Sequence, residues 1–345
     1  MDKRAAEEAE QRMREEVRKI IDAEQLRQQR YGNVRPVVAA TFQGHRFVAV
    51  GNRLYYDKNW KNFTDFLFFY VKDVMGQEWW EAESAKRPND RHPIVKWHDH
   101  LVDVSRGQRP DPETGFLSAV KDGILSALLT LAYDLYVLRN YSKLQDEVVA
   151  RLCQHDQFQG ARYELFVAAT YIRAGCEIEY EDESDGSKKH AEFVAKHHAS
   201  GVEMSVEAKA RHRQMRGEFD MASIRPGVRD LLLSAADKRG DHPLVAFVEL
   251  NLPPEDATKA PTWIPHVQAV VQEIAEQRGK PAFDLVILTN RPHLYGEVGE
   301  PDPSRHYYAL WPHPSAIPEP LIETLGEAAV QYGNIPADFP KEFQV

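Results

Sequence analysis

The sequence contains little cysteine, no apolar run long enough to cross a bilayer, and no excess of basic residues. Its two cysteines, Cys153 and Cys176, are too few for a disulfide framework or a four-thiolate zinc site, so free thiols in a reducing compartment are expected. The longest apolar run, residues 124–138, is shorter than the roughly 20 residues of a transmembrane helix and contains Asp134. Asp2 follows the initiating methionine, so no secretory signal is expected. These absences predict a soluble, cytoplasmic protein without a membrane partner.

The balance of charge and apolarity indicates a globular chain. The 345 residues are enough for two domains, and hydrophobic and charged shares of 43% and 28% are ordinary for a soluble protein. The formal net charge of −10 argues against a globally basic surface that coats nucleic acid. A local basic groove is still compatible with that total, because the field at a site depends on the charges near it.

The pattern of residues divides the chain into four segments. Residues 1–31 carry balanced charges and a thin apolar stripe at helical spacing, which predicts a solvated helical arm. Such an arm packs on the body or pairs with a partner, and packing is the expectation. Residues 32–144 predict an α+β module with a small β-meander and helices. Residues 145–313 predict a separate α/β domain, and residues 314–345 a proline-rich, acidic strap.

The α/β segment reads as helix, three strands, helix, strand. Residues 176–210 are predicted to form three consecutive, mostly antiparallel strands. Strands at 244–250 and 284–289 are predicted to complete a mixed sheet, and helices at 160–174 and 228–238 to pack on it. A helical conformation at the second or third of these strands would contradict the whole interpretation, because its acids would then point in unrelated directions.

The third strand, residues 202–210, alternates its side chains in the way of a strand with one apolar face. Met204 and Val206 fall on that face, and Glu207 and Lys209 fall on the other. Two explanations of this polar face remain open. A solvated sheet surface would hold such a pair at little benefit to stability. A metal site that cuts phosphodiesters would also place a carboxylate beside a lysine.

The order of elements and their acids resembles the PD-(D/E)XK, or restriction-endonuclease-like, nuclease superfamily over roughly residues 155–290. The residues that carry the resemblance are Glu192 on the second strand, the Glu207-Ala208-Lys209 triplet on the third, and Glu164 on the first helix. The resemblance implies a restriction-endonuclease-like αβββαβ core and a metal-dependent nuclease of restriction, repair or phage defence. In place of the superfamily's Pro-Asp step the chain has Ala191-Glu192, which lengthens that ligand by one methylene.

The chemistry of these side chains agrees with the resemblance. Phosphodiester hydrolysis needs a nucleophilic water and neutralisation of the charge that builds on the phosphoryl oxygens, and Mg²⁺ (or Mn²⁺) held by carboxylates supplies both. Glu164, Glu192 and Glu207 are the expected metal ligands and, with Lys209, the expected catalytic residues. Lys209 is expected to orient the water or to stabilise the transition state. The alternative is a non-catalytic protein of the same fold that acts as a nucleic-acid or protein-binding scaffold.

Basic residues are concentrated around the candidate site. Between residues 186 and 229, nine Lys or Arg oppose five acids, and loop arginines hold phosphates bidentately. The candidate nucleic-acid-binding residues are Lys189, Arg211, Arg213, Arg216 and Arg229. Arg211 is the strongest of these candidates, because the strand alternation places its side chain on the same face as Lys209. DNA is expected as the partner rather than RNA, and a homodimer would let one site per chain cut both strands.

Overall fold

The protein is a mixed α/β chain with two sheets. The structure, a computed structural model, describes residues 3–113, 122–181, 190–212, 224–253, 255, 259–291, 306–312, 314–330, 335, 336, 338 and 339. A three-stranded antiparallel sheet lies in the N-terminal half, and a six-stranded mixed sheet flanked by helices lies in the C-terminal half. In the part of the chain that the structure describes, no helix is long and apolar enough to cross a membrane.

The helices and strands are numbered here along the chain. The helices are α1 (Lys3–Tyr31), α2 (Phe63–Met75), α3 (Gln77–Ser84), α4 (Pro93–Arg106), α5 (Gly123–Asn140), α6 (Asp146–Leu152), α7 (Phe158–Arg173), α8 (Ile224–Ala236), α9 (Ile264–Arg278) and α10 (Glu319–Val330). The strands are β1 (Val38–Phe42), β2 (His45–Val50), β3 (Arg53–Asp57), β4 (Cys176–Tyr180), β5 (Phe193–His197), β6 (Glu203–Ala210), β7 (Leu244–Glu249), β8 (Leu285–Asn290) and β9 (His306–Leu310).

The six strands of the large sheet are ordered as they occur in the sequence, from β4 to β9. The pairs β4–β5 and β5–β6 are antiparallel, β6–β7 and β7–β8 are parallel, and β9 closes the row antiparallel to β8. The three predicted antiparallel strands and the mixed sheet are therefore confirmed. Strand β5 is shorter than expected, because it begins at Phe193, one residue after Glu192. The amide of Glu192 nevertheless donates to the carbonyl of Val206 at 3.0 Å, which extends the pairing to this residue.

Helices cover both faces of the central strands. On one face, α7 contributes Phe166 to a core that includes Val206. On the other face, Val228 of α8 packs in a second core with Val248. Because of this double cover, Glu207 on the polar side of β6 does not lie at a solvated surface, and only 1% of it is exposed. The solvated-surface explanation of the Glu207–Lys209 pair is therefore wrong.

The two halves of the chain share one hydrophobic core. The cluster that contains Phe66 of α2 and Leu131 of α5 continues into Phe166 of α7. Inside this core, Arg173 of α7 donates to Asp134 of α5 at 3.1 Å, and both side chains are almost completely buried. An acid within an apolar helix is thus paired across the junction of the halves. The predicted division at residue 144 stays a prediction.

Helix α1 is joined to the body by hydrogen bonds near its C-terminal end. Every described side chain from residue 11 to residue 23 is exposed. Near the end of the helix, Arg27 donates to the carbonyl of Val34 at 2.6 Å, and the amide of Asn33 donates to the carbonyl of Arg173 at 2.8 Å. The expectation that the arm packs on the body is therefore wrong for residues 11–23. These hydrogen bonds fix the base of the helix, whereas the described side chains of residues 11–23 face solvent.

Candidate active site

Lys209 lies between two carboxylates at the junction of β5 and β6. Its ammonium Nζ is 2.5 Å from Oε1 of Glu207 and 3.8 Å from Oε1 of Glu192. Phe193 pairs with Val206 in the antiparallel register, so continuing that register by one residue places Glu192 opposite Glu207. Residues opposite each other on neighbouring strands bring their Cβ atoms within about 5 Å. The sheet register thus brings together three of the four predicted catalytic residues.

Burial and charge shift the titration of this group. Burial raises the pKa of the Glu207 carboxyl above its usual value, and the Lys209 ammonium opposes that shift. Burial also disfavours the Lys209 ammonium, but Glu207, with smaller contributions from Glu192 and Glu164, outweighs it and raises the pKa of Lys209. Lys209 is therefore a cation at neutral pH and is suited to charge stabilisation rather than to proton abstraction.

The buried carboxylate of Glu207 has oxygen lone pairs that can accept further hydrogen bonds or bind a cation. Apart from the Lys209 ammonium beside Oε1 and the nearby amide of Glu192, no described group is placed to satisfy its two oxygens. Leaving a buried acceptor unsatisfied costs about 1–3 kcal/mol, and more for a charged group. Such lone pairs are available to a ligand that approaches the site.

A second buried acid, Glu249 at the end of β7, differs from Glu207 in its hydrogen bonding. Its carboxylate accepts from the Thr289 hydroxyl at 2.7 Å and from the amide of Arg291 at 2.8 Å. Tyr163 of α7 in turn lies 2.8 Å from the Thr289 hydroxyl. Glu249 is satisfied in the way expected of a structural acid in a core. Of these two buried acids, Glu207 alone has no well-directed hydrogen-bond donor among the described residues.

Glu164 lies in the same region but already has a strong partner. Arg151 of α6 donates Nη1 to Oε1 of Glu164 at 2.8 Å and Nη2 to Oε2 in a close second contact. Both residues line a cleft of about 490 Å³ together with Glu192 and Tyr180. Burial, with Glu164 and Glu192 nearby, raises the pKa of Tyr180. Glu164 therefore shares a cleft with Glu192, and an arginine holds its carboxylate bidentately.

The ability of the site to hold a metal rests on two of the three predicted ligands. Among the described residues, no three His, Cys, Asp or Glu side chains form a group that could hold a metal ion. Glu192 and Glu207 face each other across two strands, and Mg²⁺ commonly takes one or two carboxylates while keeping several waters. With the two Glu207 oxygens turned toward Glu192, this pair of carboxylates fits a divalent cation. Glu164 would have to leave Arg151 to become a third ligand.

The structure describes two of the five candidate nucleic-acid-binding residues. Arg211 follows β6 on the Lys209 side, and its Nε lies 3.3 Å from the position a Cβ would take at Gly227 of α8, so this guanidinium packs against the helix. Arg229 of α8 donates to the amide oxygen of Gln277 of α9 at 3.2 Å, away from the acids of the site. The three others, Lys189, Arg213 and Arg216, lie outside the described residues.

Two residues of the cleft were not predicted from the sequence. Arg151 lies on α6, and no local spacing relates it to Glu164 on α7. Tyr180 ends β4 as an ordinary strand tyrosine, and only the fold brings it beside Glu164 and Glu192. The sequence contains no signal for either contact.

Known proteins provide no model for this site. No protein-family model, curated protein or solved structure matches the chain. The class of protein that the fold and site define is a mixed α/β chain with a buried carboxylate–lysine–carboxylate group at adjacent strands of its large sheet.

Proposed function

We propose that the chain is a metal-dependent nuclease of the PD-(D/E)XK type whose site consists of Glu192, Glu207 and Lys209. The observation that carries the proposal is the buried, unsatisfied carboxylate of Glu207, which lies opposite Glu192 with Lys209 between them. A buried acid without hydrogen bonds destabilises a hydrophobic core. A second buried acid, Glu249, accepts hydrogen bonds from Thr289 and from the amide of Arg291. The arrangement is explained if a cation and a phosphate complete it.

The architecture around the site supports a restriction-endonuclease-like core. Helix α7 precedes the antiparallel strands β4, β5 and β6, and α8 leads into β7, which is parallel to β6. This is the αβββαβ order that the superfamily resemblance implies. Glu192 lies directly before the second of these strands and Glu207 on the third, in the order that the resemblance implies.

Each residue of the site has a separate part in the proposed reaction. Mg²⁺ (or Mn²⁺), held by Glu192 and Glu207, would supply Lewis acidity and a bound water of lowered pKa. Lys209, kept protonated by its acids, stabilises the negative charge that develops on the phosphoryl oxygens. Arg151 holds Glu164 at the wall of the cleft and adds a second positive charge there. Arg211 contacts a flanking phosphate of the substrate.

Nucleic acid, DNA rather than RNA, is the substrate class proposed. The test is incubation of the purified protein with plasmid, single-stranded DNA and RNA, with Mg²⁺ or Mn²⁺ and with EDTA. Cleavage should require the divalent ion and stop with EDTA. Glu207→Gln, prepared identically, controls for a contaminating nuclease. Metal-dependent cleavage by wild type and variant alike would refute the assignment of the site.

A non-catalytic scaffold is the second candidate, and one observation favours it. Each acid of the region already has a cationic partner, Lys209 for Glu192 and Glu207, and Arg151 for Glu164. A scaffold would bind nucleic acid or protein without a metal and would cut no substrate. Binding that is equal in Mg²⁺ and EDTA, with no product from any substrate, would establish it.

A further inference from the structure

Exposed large apolar side chains are concentrated on two surfaces of the described part of the chain. Of the eleven with substantial exposure, nine lie on α1 or on the three-stranded sheet. These nine are Met13, Val17, Ile20, Ile21 and Leu26 on α1, and Val38, Phe42, Leu54 and Tyr56 on the sheet. Scattered exposed apolar residues need no explanation, but contiguous patches mark interaction sites.

One surface is the outward face of the sheet β1–β2–β3, called here the sheet face. The strand registers place eight residues on it: Val38, Ala40, Phe42, His45, Phe47, Ala49, Leu54 and Tyr56. Phe47 and Tyr56 stack with their ring centroids 5.5 Å apart. A solvated face of an antiparallel sheet is ordinarily polar, whereas His45 alone is polar here. This composition is typical of a face that another element covers.

The other surface is the α1 stripe, formed by Met13, Val17, Ile20 and Ile21. At 100° per residue these side chains fall within an arc of about 100°. A groove of about 820 Å³ at the base of the helix separates Ile20 from Val37 and other residues of the body. Most helices in proteins are stabilised by packing of an apolar face rather than by their own hydrogen bonds. The α1 stripe is nevertheless exposed, and no element among the described residues covers it.

We infer that the chain forms a two-fold dimer in which the α1 stripe of each copy covers the sheet face of the other. An amphipathic helix is the usual cover for an apolar sheet face, and the described part of this chain exposes one of each. Only residues 32–37 separate the end of α1 from the start of β1, so a short link joins the helix to the sheet. A two-fold axis beside them repeats the contact and covers all four surfaces at once.

Two other partners for these surfaces, a second α1 helix for the α1 stripe and single-stranded nucleic acid for the sheet face, fit the observations less well. Pairing of two α1 helices would use Met13, Val17 and Ile20 as the seam, but the next seam positions are Glu10 and Glu24. That seam is shorter than two heptads, and a coiled coil needs three or four. Single-stranded nucleic acid requires cations along its path, and none of the eight residues of the sheet face is Lys or Arg.

The first test is the oligomeric state of the full chain, measured by light scattering and sedimentation equilibrium. The wild type should have twice the mass of one chain. Ile20→Glu and Leu54→Glu should each raise the dimer dissociation constant by roughly a hundredfold. The exposed controls Arg18→Glu on α1 and Lys58→Glu after β3 make the same or a larger charge change and should leave the dimer intact. Circular dichroism confirms the fold of each variant.

The second test is disulfide formation between separately prepared Ile20→Cys and Leu54→Cys chains. A mild oxidant should link the two only when they are mixed, with wild type as the control for Cys153 and Cys176. Linking of either variant alone would show helix–helix or sheet–sheet pairing and overturn the inference. A monomeric wild type would overturn it as well. In that case, loss of oligonucleotide binding in Leu54→Glu would make the sheet face a base-stacking surface instead.

Discussion

The ammonium of Lys209 lies 2.5 Å from Oε1 of Glu207, a carboxylate that is 1% exposed and accepts no well-directed hydrogen bond from a described residue. The two residues are neighbours on one face of β6, and α8 covers that face. A surface pair two residues apart would be worth little, but a buried pair fixes a cation beside an unsatisfied anion.

Lys209 and Arg211 are expected to act on different steps. Lys209→Ala should lower the single-turnover cleavage rate by roughly a hundredfold or more with little change in affinity, because a transition-state interaction is removed. Arg211→Ala should mainly weaken binding and reduce its salt dependence by about one phosphate contact. Rates and salt-dependent affinities of both variants decide this. The same modest loss of affinity in both, with no rate defect, would contradict the mechanism.

Divalent metal should stabilise the wild type through Glu207. At a concentration one hundred times the dissociation constant, Mg²⁺ should raise the free energy of unfolding by about 2.7 kcal/mol, because it binds the folded chain only. Glu207→Gln should lose this increase, while Glu203→Gln, an exposed acid of the same strand, should keep it. Thermal unfolding with and without Mg²⁺ measures the difference. An equal Mg²⁺ effect in wild type and Glu207→Gln would place the ion elsewhere.

Arg151 is expected to restrain Glu164. In Arg151→Ala, the freed carboxylate adds negative charge to the cleft shared with Glu192. The Mg²⁺ concentration for half-maximal cleavage should therefore fall severalfold, whereas affinity for nucleic acid in EDTA should weaken. Metal titrations and binding assays of this variant report the two effects separately. An unchanged metal requirement would indicate that Glu164 has no influence on the ion.

The buried pair Asp134–Arg173 is expected to hold the two halves together. Asp134→Ala should lower the free energy of unfolding by about 3–5 kcal/mol, because it leaves a buried guanidinium without its acid. Replacing both, as Asp134→Leu with Arg173→Met, should recover most of this loss. Glu273→Ala breaks the half-exposed pair with Arg225 and should have an effect below about 1 kcal/mol. Urea unfolding of the four proteins provides the comparison.

His92 is expected to make the fold sensitive to acid. Burial, aided by His155, lowers the pKa of this histidine to about 3. A depressed folded pKa means that the unfolded chain binds the proton first, so stability is lost as pH falls below about 6.5. Between pH 6 and 4 this loss should approach about 1.4 kcal/mol per pH unit. His92→Gln should have a shallower slope, whereas the exposed His198→Gln should keep it. Equal slopes in all three proteins would rule out His92 as the cause.

The strands of the large sheet could be predicted because their signals are local. Alternation in residues 203–210 and turn residues between the strands define β4 to β6. The burial of Glu207 could not be predicted in this way, because it depends on α8, which begins at Ile224 beyond the end of the strand. For the same reason the alternation left a solvated face and a metal site equally open.

Two further features of the fold also depended on contacts that the sequence does not encode locally. Residues 86–97 contain two prolines, Pro88 and Pro93, and α4 nevertheless begins at Pro93, where proline occupies the first turn and His92 caps the helix. The bidentate contact of Arg151 with Glu164 joins two helices whose relative position only the complete core determines. Both follow from packing rather than from periodicity.

The most direct test of the central claim compares Glu207→Gln with Glu203→Gln under single-turnover conditions at saturating Mg²⁺. Both variants remove one charge from the same strand, but Glu203 forms an exposed pair with Lys196 at 2.7 Å, whereas Glu207 is buried beside Lys209. The account predicts that Glu207→Gln binds nucleic acid as tightly as wild type or more tightly and does not cut it, and that Glu203→Gln cuts at the wild-type rate. Cleavage by Glu207→Gln at the wild-type rate would contradict it.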